Sequence, residues 1–394
     1  MTQDPIRVAV IGQGFMGRAH SFGWARTRAL RPSGLRPELA VLCGRDRTAL
    51  AQNAASYGFA EWSDNWEEVV RRSDVDLVDI CTPGVSHAEI ALAALAAGKH
   101  VLCEKPLANS LKEATRLAEA AEAAAARGVF AMVGFNYRRV PAIAAARQLI
   151  EQGRLGRLRH VRAMYLQDWL VDASFPMTWR MDASQAGSGA LGDLASHAID
   201  LVRFLSGEPI TEVTGLLETF VAERPRASSA TGQNAVGAPG RVTVDDACVL
   251  LARLGGGALV TLEATRMAAG HKNGLTIEIN GSEGSLRFDL ERLNELEVYE
   301  LRAPQEGFTR VLVTNPDSPY LAQWWPPGHI LGWEHTFVHE FEDFLDAIAE
   351  RRQPQPSFSD GLVTQAVLDA AARSAASRSW IAIDQVSQAK AGTG

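Results

Sequence analysis

Lys105 occupies a position where a lysine can take part in a reaction. It belongs to the tripeptide Glu104-Lys105-Pro106, directly after the apolar run at residues 100–103. The carboxyl end of a parallel strand faces the crevice in which α/β sheets bind their ligands. A lysine there hydrogen-bonds a substrate hydroxyl, and it loses basicity when it is partly desolvated near other cations. Glu104 either pairs with the lysine or contacts a nucleotide ribose, and Pro106 fixes the turn, in which a cis bond is one option.

Asp193 and His197 form a second candidate pair. They are four residues apart, after a glycine-rich lead-in at residues 187–192 and on a predicted helix that runs to Leu205, so they share one helix face. The oxidation of an alcohol needs a base for the hydroxyl proton, and histidine titrates in the right range. Taken alone, Asp193 would stabilise the helix dipole, His197 would be a core residue and Lys105 a surface residue. Their occurrence together in a chain with a nucleotide-type turn favours the catalytic interpretation.

The nucleotide-type turn is Gly12-x-Gly14-x-x-Gly17, between a predicted strand at residues 6–11 and a predicted helix. Gly12 allows the tight turn, Gly14 lets the backbone approach a pyrophosphate, and Gly17 lets the helix pack on the strand. The helix N-terminus at Phe15 and Met16 supplies amide donors and a partial positive charge. The alternative is a glycine-rich turn without a ligand, which the flanking strand and helix disfavour. We therefore predict that these five residues bind a dinucleotide.

The choice between NAD and NADP is made at the end of the second predicted strand, where an acid binds the ribose of NAD. If Gly44 occupies that place, no carboxylate repels a 2′-phosphate, and Arg45, which follows it, either binds the phosphate or stacks on the adenine. Asp46 is the ribose acid if the register shifts by two residues. The sequence therefore predicts NADP or NAD, with a slight preference for NADP.

A further loop, at residues 82–87, follows the predicted strand 77–80 and is expected to pass near the nicotinamide half of the cofactor. We predict that Thr82 and Pro83 contact the cofactor there. His87 is either a ribose or substrate contact or a structural residue in the first turn of a helix, and the sequence favours neither interpretation.

Alternating strands and helices position these residues in the first third of the chain. The predicted strands lie at 6–11, 38–43, 77–80, 100–103 and 130–133, and the predicted helices at 16–28, 48–57, 66–71, 87–97 and 111–127. This alternation indicates a doubly wound parallel sheet. After residue 130, strand-like runs follow one another at 159–165, 210–220, 247–253, 258–265, 275–280, 284–289 and 296–301, with helical patterns at 142–152, 335–351 and 361–377. That pattern predicts a second domain with an antiparallel or mixed sheet, in which the Ala-, Ser-, Gly- and Pro-rich stretch 222–241 is a mobile loop.

The composition excludes several classes of protein. The 394 residues carry a net charge of −7 with a pI of about 5.8, whereas a face that binds nucleic acid has to be basic. No apolar run reaches the roughly 18 residues of a membrane span, and the N-terminus lacks a basic and apolar leader. The cysteines have no CxxC spacing, so we expect buried thiols, no disulfide and no metal in a cytoplasmic protein; they are Cys43, Cys81, Cys103 and Cys248.

The glycine turn, the Glu-Lys-Pro tripeptide and the segment 192–197, in this order and spacing, resemble the Gfo/Idh/MocA oxidoreductases. The resemblance covers nearly the whole chain, and the combination of Glu-Lys-Pro with Asp and His is specific to that family. It implies an α/β Rossmann domain followed by an α+β substrate-binding domain. With the change of pattern near residue 130, we place the first domain at 1–130 and the second at 131–386, and we expect the terminal residues 387–394 to be a disordered tail. The second domain would have a large open, mostly antiparallel sheet, on which members form homodimers or homotetramers.

The same resemblance implies hydride transfer between NAD(P) and a sugar or cyclitol. Carried over by position, His197 would be the base, while Lys105 and Asp193 would orient the hydroxyl and tune the imidazole. Segments 135–139, 165–169, 187–193, 263–266 and 356–358 are similar to the levoglucosan dehydrogenase-like branch of the family, which oxidises the 3-hydroxyl of a pyranose. The chain departs from that branch at Gly44-Arg45, where an acid is expected, and around residues 324–333.

Sugars are bound by hydrogen bonds and by aromatic platforms, which guides the choice of substrate residues. We favour Tyr165, Asp168 and Trp169 over the other candidates, and packing is the alternative role for each. The complete set of predicted substrate-binding residues is Tyr137, Arg139, Tyr165, Asp168, Trp169 and His335.

The sequence thus predicts an NAD(P)-dependent oxidoreductase that acts on a secondary hydroxyl of a sugar, anhydrosugar or inositol. A biosynthetic keto-sugar reductase would use the same residues in the opposite direction, so the sequence does not separate the two. A non-catalytic dinucleotide-binding sensor would have no need for Lys105, Asp193 and His197 together. The chain also lacks the basic stripe of a DNA-binding regulator.

Overall fold

The computed structural model describes residues 5–31, 34–227, 235–304 and 306–383, which divide into two compact units. The first unit contains the described chain up to Asn136 together with Gly332–Val363. The second contains Tyr137–Leu331 and the described residues after Val363. The segment 332–363 thus belongs to the first unit, whereas the sequence placed it in a domain at 131–386. The predicted tail at 387–394 lies outside the described residues.

A six-stranded parallel sheet forms the centre of the first unit, in the order β3-β2-β1-β4-β5-β6. Its strand order reverses between β1 and β4, and in such folds the loops at that point form the ligand crevice. This arrangement confirms the predicted Rossmann architecture. The strands are β1 (Ile6–Ile11), β2 (Pro37–Cys43), β3 (Glu61–Ser63), β4 (Leu77–Ile80), β5 (His100–Glu104) and β6 (Ala131–Gly134).

Five helices connect these strands, and their apolar faces pack on the sheet. In the last of them, Ser110 is the N-cap residue: its hydroxyl accepts from the Glu113 amide and donates to the Glu113 carboxylate. The buried face of that helix consists of alanines and Leu117, so the helix lies close to the strands. The helices are α1 (Phe15–Leu30), α2 (Arg47–Tyr57), α3 (Trp66–Arg71), α4 (His87–Ala96) and α5 (Leu111–Ala125).

The second unit is built on a nine-stranded sheet, in the order β16-β15-β14-β13-β7-β12-β11-β8-β17. Only β7 and β12 pair in parallel, and all other neighbours are antiparallel, so the predicted large, mostly antiparallel sheet is confirmed. Its strands are β7 (Leu158–Leu166), β8 (Ile210–Glu218), β11 (Ala247–Leu254), β12 (Leu259–Thr265), β13 (Gly274–Gly281), β14 (Gly284–Asp289), β15 (Glu295–Glu300), β16 (Thr309–Leu312) and β17 (Ile381–Ala382).

A two-stranded hairpin lies outside this sheet, formed by β9 (Glu223–Ala227) and β10 (Ala235–Arg241). The interpretation of 222–241 as a mobile loop was therefore wrong for both ends of that stretch, while residues 228–234 lie outside the described chain. The prediction from composition was wrong because buried contacts hold this Pro- and Gly-rich hairpin in place. Arg224 is buried and donates to the carbonyl groups of Leu170 and Asp172.

Three helices accompany the large sheet: α6 (Pro141–Glu151), the single turn α7 (Ala183–Ala186) and α8 (Ser196–Ser206). Leu191–Ala195, immediately before α8, is a π-helical turn. The sequence predicted one α-helix over Asp193 and His197, but the structure places Asp193 in the π-turn and His197 in α8. Such turns are rare in proteins, but those that occur are often found at functional sites.

The segment that rejoins the first unit contains α9 (His335–Ala349) and the start of α10 (Phe358–Ser377), which continues into the second unit. Phe341 of α9 stacks on Trp24 of α1 with ring centroids 4.0 Å apart, and Phe337 and Phe344 are completely buried. Because α9 has a strongly apolar face, its packing on α1 removes that face from water.

Two expectations from composition concern the cysteines and the membrane-spanning capacity of the helices. The four cysteines are free and buried, and burial raises the pKa of Cys43 to about 12. Among the residues that the structure describes, none of the helices combines the length and the apolarity that a membrane crossing requires.

Candidate functional site

The glycine turn at the end of β1 is shaped by close backbone contacts. Gly12 has φ of +121°, and a Cβ atom there would lie 2.6 Å from the carbonyl group of Cys81 after β4. A Cβ atom on Gly17 would lie 1.7 Å from the Gly12 carbonyl oxygen, so only glycine lets α1 begin so close to the strand. By contrast, the space beside Gly14 is open to 4 Å. The turn therefore leaves room where a pyrophosphate would approach the backbone.

The N-terminus of α1 is suited to an anion. Gly14 caps the helix without a side-chain bond, and the first turn contains no acidic residue, so the helix dipole is not neutralised there. Phe15 is two-thirds exposed and stacks on Trp333 at 5.6 Å, and Met16 is half-buried. These positions fit the predicted dinucleotide contacts.

Gly44, Arg45 and Asp46, which are predicted to determine the choice of cofactor, directly follow β2. A Cβ atom on Gly44 would lie 2.8 Å from the Gln13 side chain. Asp46 accepts bonds from the amides of Thr48 and Ala49, so its carboxylate caps α2. The side chain of Arg45 is exposed. The strand is thus followed by an exposed arginine and by an exposed aspartate that caps α2 through one of its oxygens.

The loop after β4 holds Thr82, Pro83 and His87. Thr82 follows the peptide against which Gly12 packs, so this loop adjoins the glycine turn. The His87 ring is buried, with Nδ1 3.0 Å from the Pro106 carbonyl oxygen and Nε2 2.9 Å from that of Thr82. Burial lowers the pKa of His87. A ring enclosed by two carbonyl groups favours the structural interpretation of His87.

Glu104 lies at the end of β5, and its carboxylate is occupied by two protein groups. Oε2 accepts from the backbone N–H of Lys105 at 3.0 Å, and Oε1 lies 3.0 Å from Nε2 of His20 on α1. The other ring nitrogen of His20 lies 2.9 Å and 3.0 Å from the two oxygens of Asp79. The bond between Lys105 and Pro106 is cis. Lys105 therefore follows directly on a buried polar network.

In the second unit, Asp245 organises the approach to the π-turn. Its two carboxylate oxygens each accept a backbone amide at 2.7 Å, from Gly189 and from Leu191. A Cβ atom on Gly189 would lie 1.7 Å from the Asp245 carbonyl oxygen, so glycine is required for this close contact. Burial raises the pKa of Asp245, and the two amides act against that rise. The glycine-rich lead-in is thus fixed by one buried carboxyl group.

Asp193 is bound by a buried arginine. Arg266, at the end of β12, donates from Nη2 to Asp193 Oδ2 at 3.0 Å and from Nη1 to the Arg180 carbonyl oxygen at 3.2 Å. The side chain of Arg266 is 1% exposed. Burial lowers the pKa of Arg180, which Asp193 partly offsets. A buried guanidinium group fixes the position of a carboxylate and favours its charged form.

His197 lies against two tyrosine rings. Its centroid is 4.5 Å from that of Tyr137 and 5.8 Å from that of Tyr165. The two hydroxyl groups are 2.9 Å apart, and the Tyr165 hydroxyl also donates to Asn273 at 2.8 Å. Gln167 donates to the same Asn273 oxygen at 2.7 Å. Burial raises the pKa of Tyr165 well above its usual value, so the cluster offers neutral hydroxyl and amide groups.

The remaining predicted substrate residues of the second unit are Trp169, Asp168 and Arg139, and each has different surroundings. Trp169 packs edge-on against Phe175 and lies under the Arg266 guanidinium at 5.5 Å. Asp168 accepts from Lys272 at 2.6 Å, and this bond lowers the pKa of Asp168. Arg139 is buried. The structure thus brings Tyr137, Tyr165 and Trp169 close to His197 or to the arginine that binds Asp193.

His335 is the one predicted substrate residue in the first unit. It begins α9, and its Nδ1 lies 3.1 Å from the Gly332 amide nitrogen and 3.6 Å from a Glu334 oxygen. Burial lowers the pKa of His335.

Sequence reasoning assigned no role to His20, Asp79, Arg266 or Asn273. Arg266 lies within the segment 263–266 that carried part of the family resemblance, and its position at a strand end was the available signal. His20 and Asp79 gave no such signal, because a histidine within a helix and an acid within an apolar strand are isolated in the sequence.

Similarity to known proteins agrees with this geometry. Residues 6–135 match a family described as "Oxidoreductase family, NAD-binding Rossmann fold", and residues 143–287 match the GFO/IDH/MocA C-terminal domain. The chain is 40% identical over 391 residues to levoglucosan dehydrogenase of Pseudarthrobacter phenanthrenivorans, covering 97% of this chain and 99% of that protein. It is 26% identical to inositol 2-dehydrogenase of Rhizobium meliloti, covering 96% and 99% of the two chains.

Solved structures are similar over almost the entire chain. An oxidoreductase domain protein from Kribbella flavida has 52% identity and a TM-score of 0.93, with 98% of this chain and 100% of that chain covered. Levoglucosan dehydrogenase in complex with NADH and levoglucosan has 40% identity and a TM-score of 0.91, with 97% and 100% covered.

Proposed function

Because the chain belongs to the Gfo/Idh/MocA family of oxidoreductases, we propose that it is a dehydrogenase that oxidises a secondary hydroxyl of a neutral sugar or anhydrosugar. The observation that carries this proposal is the setting of His197, an imidazole flanked by Tyr137 and Tyr165 in the unit where Arg266 binds Asp193. The first unit supplies the dinucleotide turn and Lys105.

The proposed reaction removes a hydride from carbon and a proton from oxygen, so that a carbonyl group forms. The nicotinamide, when bound, supplies the hydride acceptor. His197 takes the hydroxyl proton as general base, since a neutral imidazole accepts a proton near neutral pH. Asp193, held in place by its ion pair with Arg266, stabilises the imidazolium that results. Lys105 orients the hydroxyl oxygen and favours its loss of the proton.

The polar groups near His197 support an uncharged substrate. Tyr137, Tyr165, Gln167 and Asn273 offer hydroxyl and amide groups, which form hydrogen bonds with sugar hydroxyls without requiring a charge. Trp169 supplies an aromatic face of the kind on which a pyranose ring packs. We therefore propose a pyranose or an anhydrosugar as the substrate class.

The geometry at the end of β2 supports NADP as the preferred cofactor, with NAD as the second. Arg45 is exposed and available to a 2′-phosphate, and the Asp46 carboxylate caps α2 by accepting two of its amides on one oxygen. Gly12, Gly14 and the α1 N-terminus would hold the pyrophosphate, and Thr82 and Pro83 the nicotinamide half.

One face of the nine-stranded sheet supports the proposal of a homo-oligomer. Apolar side chains alternate outward along its strands, and Leu216 is 69% exposed. An apolar patch of this kind marks an interaction surface, and a second copy of the sheet is the matching partner. The exposed residues are Met164, Leu216, Val249, Leu251 and Leu259. Light scattering coupled to size exclusion is expected to give at least a dimer, and a monomer would contradict this proposal.

The experiment that tests the function follows the absorbance of reduced nicotinamide with NAD and NADP separately. The panel contains levoglucosan, common hexoses, methyl glycosides and inositols, and the Lys105→Ala variant is the blank. We expect turnover with a pyranose or anhydrosugar. The absence of an absorbance change with every substrate, in protein that is shown by fluorescence titration to bind the cofactor, would contradict the proposed function.

A further inference from the structure

The first unit contains a completely buried histidine whose two ring nitrogens both face carboxylates. Nδ1 of His20 lies 2.9 Å and 3.0 Å from the two oxygens of Asp79, and Nε2 lies 3.0 Å from Oε1 of Glu104. His20 and Asp79 have no exposed side-chain surface. A carboxylate only accepts hydrogen bonds, so both nitrogens donate only if the ring carries two protons.

We propose that His20 is a positioning residue for Lys105: its doubly protonated ring fixes the Glu104 carboxylate, and Glu104 in turn fixes the Lys105 backbone. The link is direct, since the other Glu104 oxygen accepts the Lys105 N–H at 3.0 Å. This inference rests on the proposed function in so far as Lys105 acts in turnover.

The surroundings of the ring support its charged form. Burial on its own lowers the pKa of His20, but the attraction of Asp79 and the nearby Cys81 outweighs it, so the pKa is raised well above the usual value. The titratable groups recorded at the ring are Asp79, Cys81 and Glu104. From α9, the rings of Phe337 and Phe341 lie 5.1 Å and 5.2 Å from it, and they exclude water from the network.

Asp79 anchors the far end of the network. Besides His20, it accepts the indole N–H of Trp24 at 2.8 Å, and the Cys81 thiol lies 3.6 Å from its other oxygen. The order along the network is therefore Trp24, Asp79, His20, Glu104, and then the Lys105 amide. Removing a member beyond His20 tests the packing of the region without breaking the link to Lys105.

His20, Asp79 and Cys81 also lie close enough together to hold a metal ion. The geometry favours hydrogen bonds, because Nδ1 lies between both Asp79 oxygens at direct hydrogen-bond distance. The second ring nitrogen points to Glu104 on the opposite side of the ring. Measurement of the metal content of the purified protein decides this point, since a stoichiometric ion would overturn the proposal.

Two amide variants of His20 separate positioning from packing. In His20→Gln the amide nitrogen takes the place of Nε2 and keeps the bond to Glu104. In His20→Asn it takes the place of Nδ1 and keeps the bond to Asp79. Trp24→Phe is the matched control, because it removes a buried hydrogen bond at the far end and retains the aromatic stack on Phe341.

The first measurement is hydrogen exchange of the Lys105 amide, which requires no substrate. We expect slow exchange in wild type, His20→Gln and Trp24→Phe, and exchange at least about tenfold faster in His20→Asn. Nitrogen-15 spectra of labelled histidines should show both His20 ring nitrogens protonated at pH 7, with the signal assigned by its absence in His20→Gln. Equal exchange in the two amide variants, or a neutral His20 ring, would overturn the proposal.

The second measurement is turnover with saturating cofactor and substrate. His20→Asn should have a kcat at least about tenfold below that of His20→Gln, since a small displacement of a reacting group costs large factors in rate. Trp24→Phe should keep nearly the wild-type kcat. A purely structural role predicts that kcat follows thermal stability in all three variants, and this result would also overturn the proposal. An inactive wild type would instead contradict the proposed function, and it would leave the exchange and nitrogen-15 results valid.

Discussion

The two units fix their proposed catalytic groups with different cations. In the first, the buried His20 ring lies between Asp79 and Glu104, next to Lys105. In the second, the buried Arg266 binds Asp193. A histidine loses its charge within the range of pH that proteins survive, whereas an arginine keeps it. The comparison indicates that the first arrangement depends on protonation and that the second is permanent.

The largest expected effect concerns one group from each unit. Lys105→Ala and His197→Ala should each lower kcat by about a thousandfold or more, since acid–base catalysis by a positioned group contributes roughly 10²–10⁴ in rate. Fluorescence titration should show that both variants bind the reduced cofactor nearly as wild type does. Turnover close to wild type in either variant would remove that unit's residue from the mechanism.

The second prediction tests the permanent cation. Arg266→Met should lower kcat by about a hundredfold, because Asp193 loses the guanidinium group that holds its carboxylate in place. The variant should also be less stable by about 1.5–3 kcal/mol, the usual contribution of a hydrogen bond to a charged group, because the Asp193 carboxylate that is left behind is 29% exposed. Thermal melts and steady-state kinetics measure the two effects.

Arg224→Met is the control for this variant. Arg224 is equally buried in the same unit, but it donates to the backbone carbonyls of Leu170 and Asp172. The Arg224→Met variant should be less stable than wild type, but its kcat should stay within about threefold of the wild-type value, since no charged group of the site loses its partner. A similar loss of kcat in both variants would mean that Arg266 acts through folding alone.

The third prediction concerns the neutral groups around His197. Tyr165→Phe removes the hydroxyl that bonds Tyr137 and Asn273, so kcat/KM should fall by about tenfold, the equivalent of one or two hydrogen bonds. Tyr299→Phe, in β15, should leave kcat/KM unchanged. An unaffected Tyr165→Phe would show that this cluster does not bind the substrate.

The fourth prediction concerns cofactor choice in the first unit. Arg45→Ala should weaken NADPH binding by several-fold and leave NADH binding within about twofold, because only the 2′-phosphate uses the added positive charge. Arg47→Ala is the matched control, since Arg47 is already paired with Asp64 at 3.1 Å and lies over Trp62. Equal losses for both cofactors would contradict the interpretation of the β2 end.

The parallel-sheet unit was largely predictable from sequence, and the reason is local. A βα unit is formed by neighbouring residues, so its strands and the turn at Gly12–Gly17 are visible as periodicity and glycine spacing. The sequence did not allow us to predict that α9 belongs to this unit. Its apolar face shows that the helix is buried, but a face formed by Phe337 and Phe341 does not specify its partner.

The groups that support the site were mostly not predictable, since their partners are distant in sequence. His20 meets Glu104 across 84 residues, and Arg266 meets Asp193 across 73. Lys105 was predicted as a catalytic candidate from its position at a strand end, and Asp193 and His197 were predicted from their helical spacing. No local pattern predicts the π-turn that contains Asp193, because it depends on Asp245 and its bonds to the two amides of the lead-in.

The last and smallest expected effect concerns stability as a function of pH, which tests the difference between the two cations directly. The pKa of His20 is raised in the folded protein, so its contribution to stability is fully present below the unfolded value near 6.5 and is lost as the pH rises through the folded value. The difference in unfolding free energy between wild type and His20→Gln should therefore shrink at alkaline pH. The corresponding difference for Arg266→Met should stay constant, because the charge of arginine does not titrate in this range. Denaturant unfolding at a series of pH values measures both differences, and a constant difference for His20→Gln would mean that the network in the first unit is as permanent as that in the second.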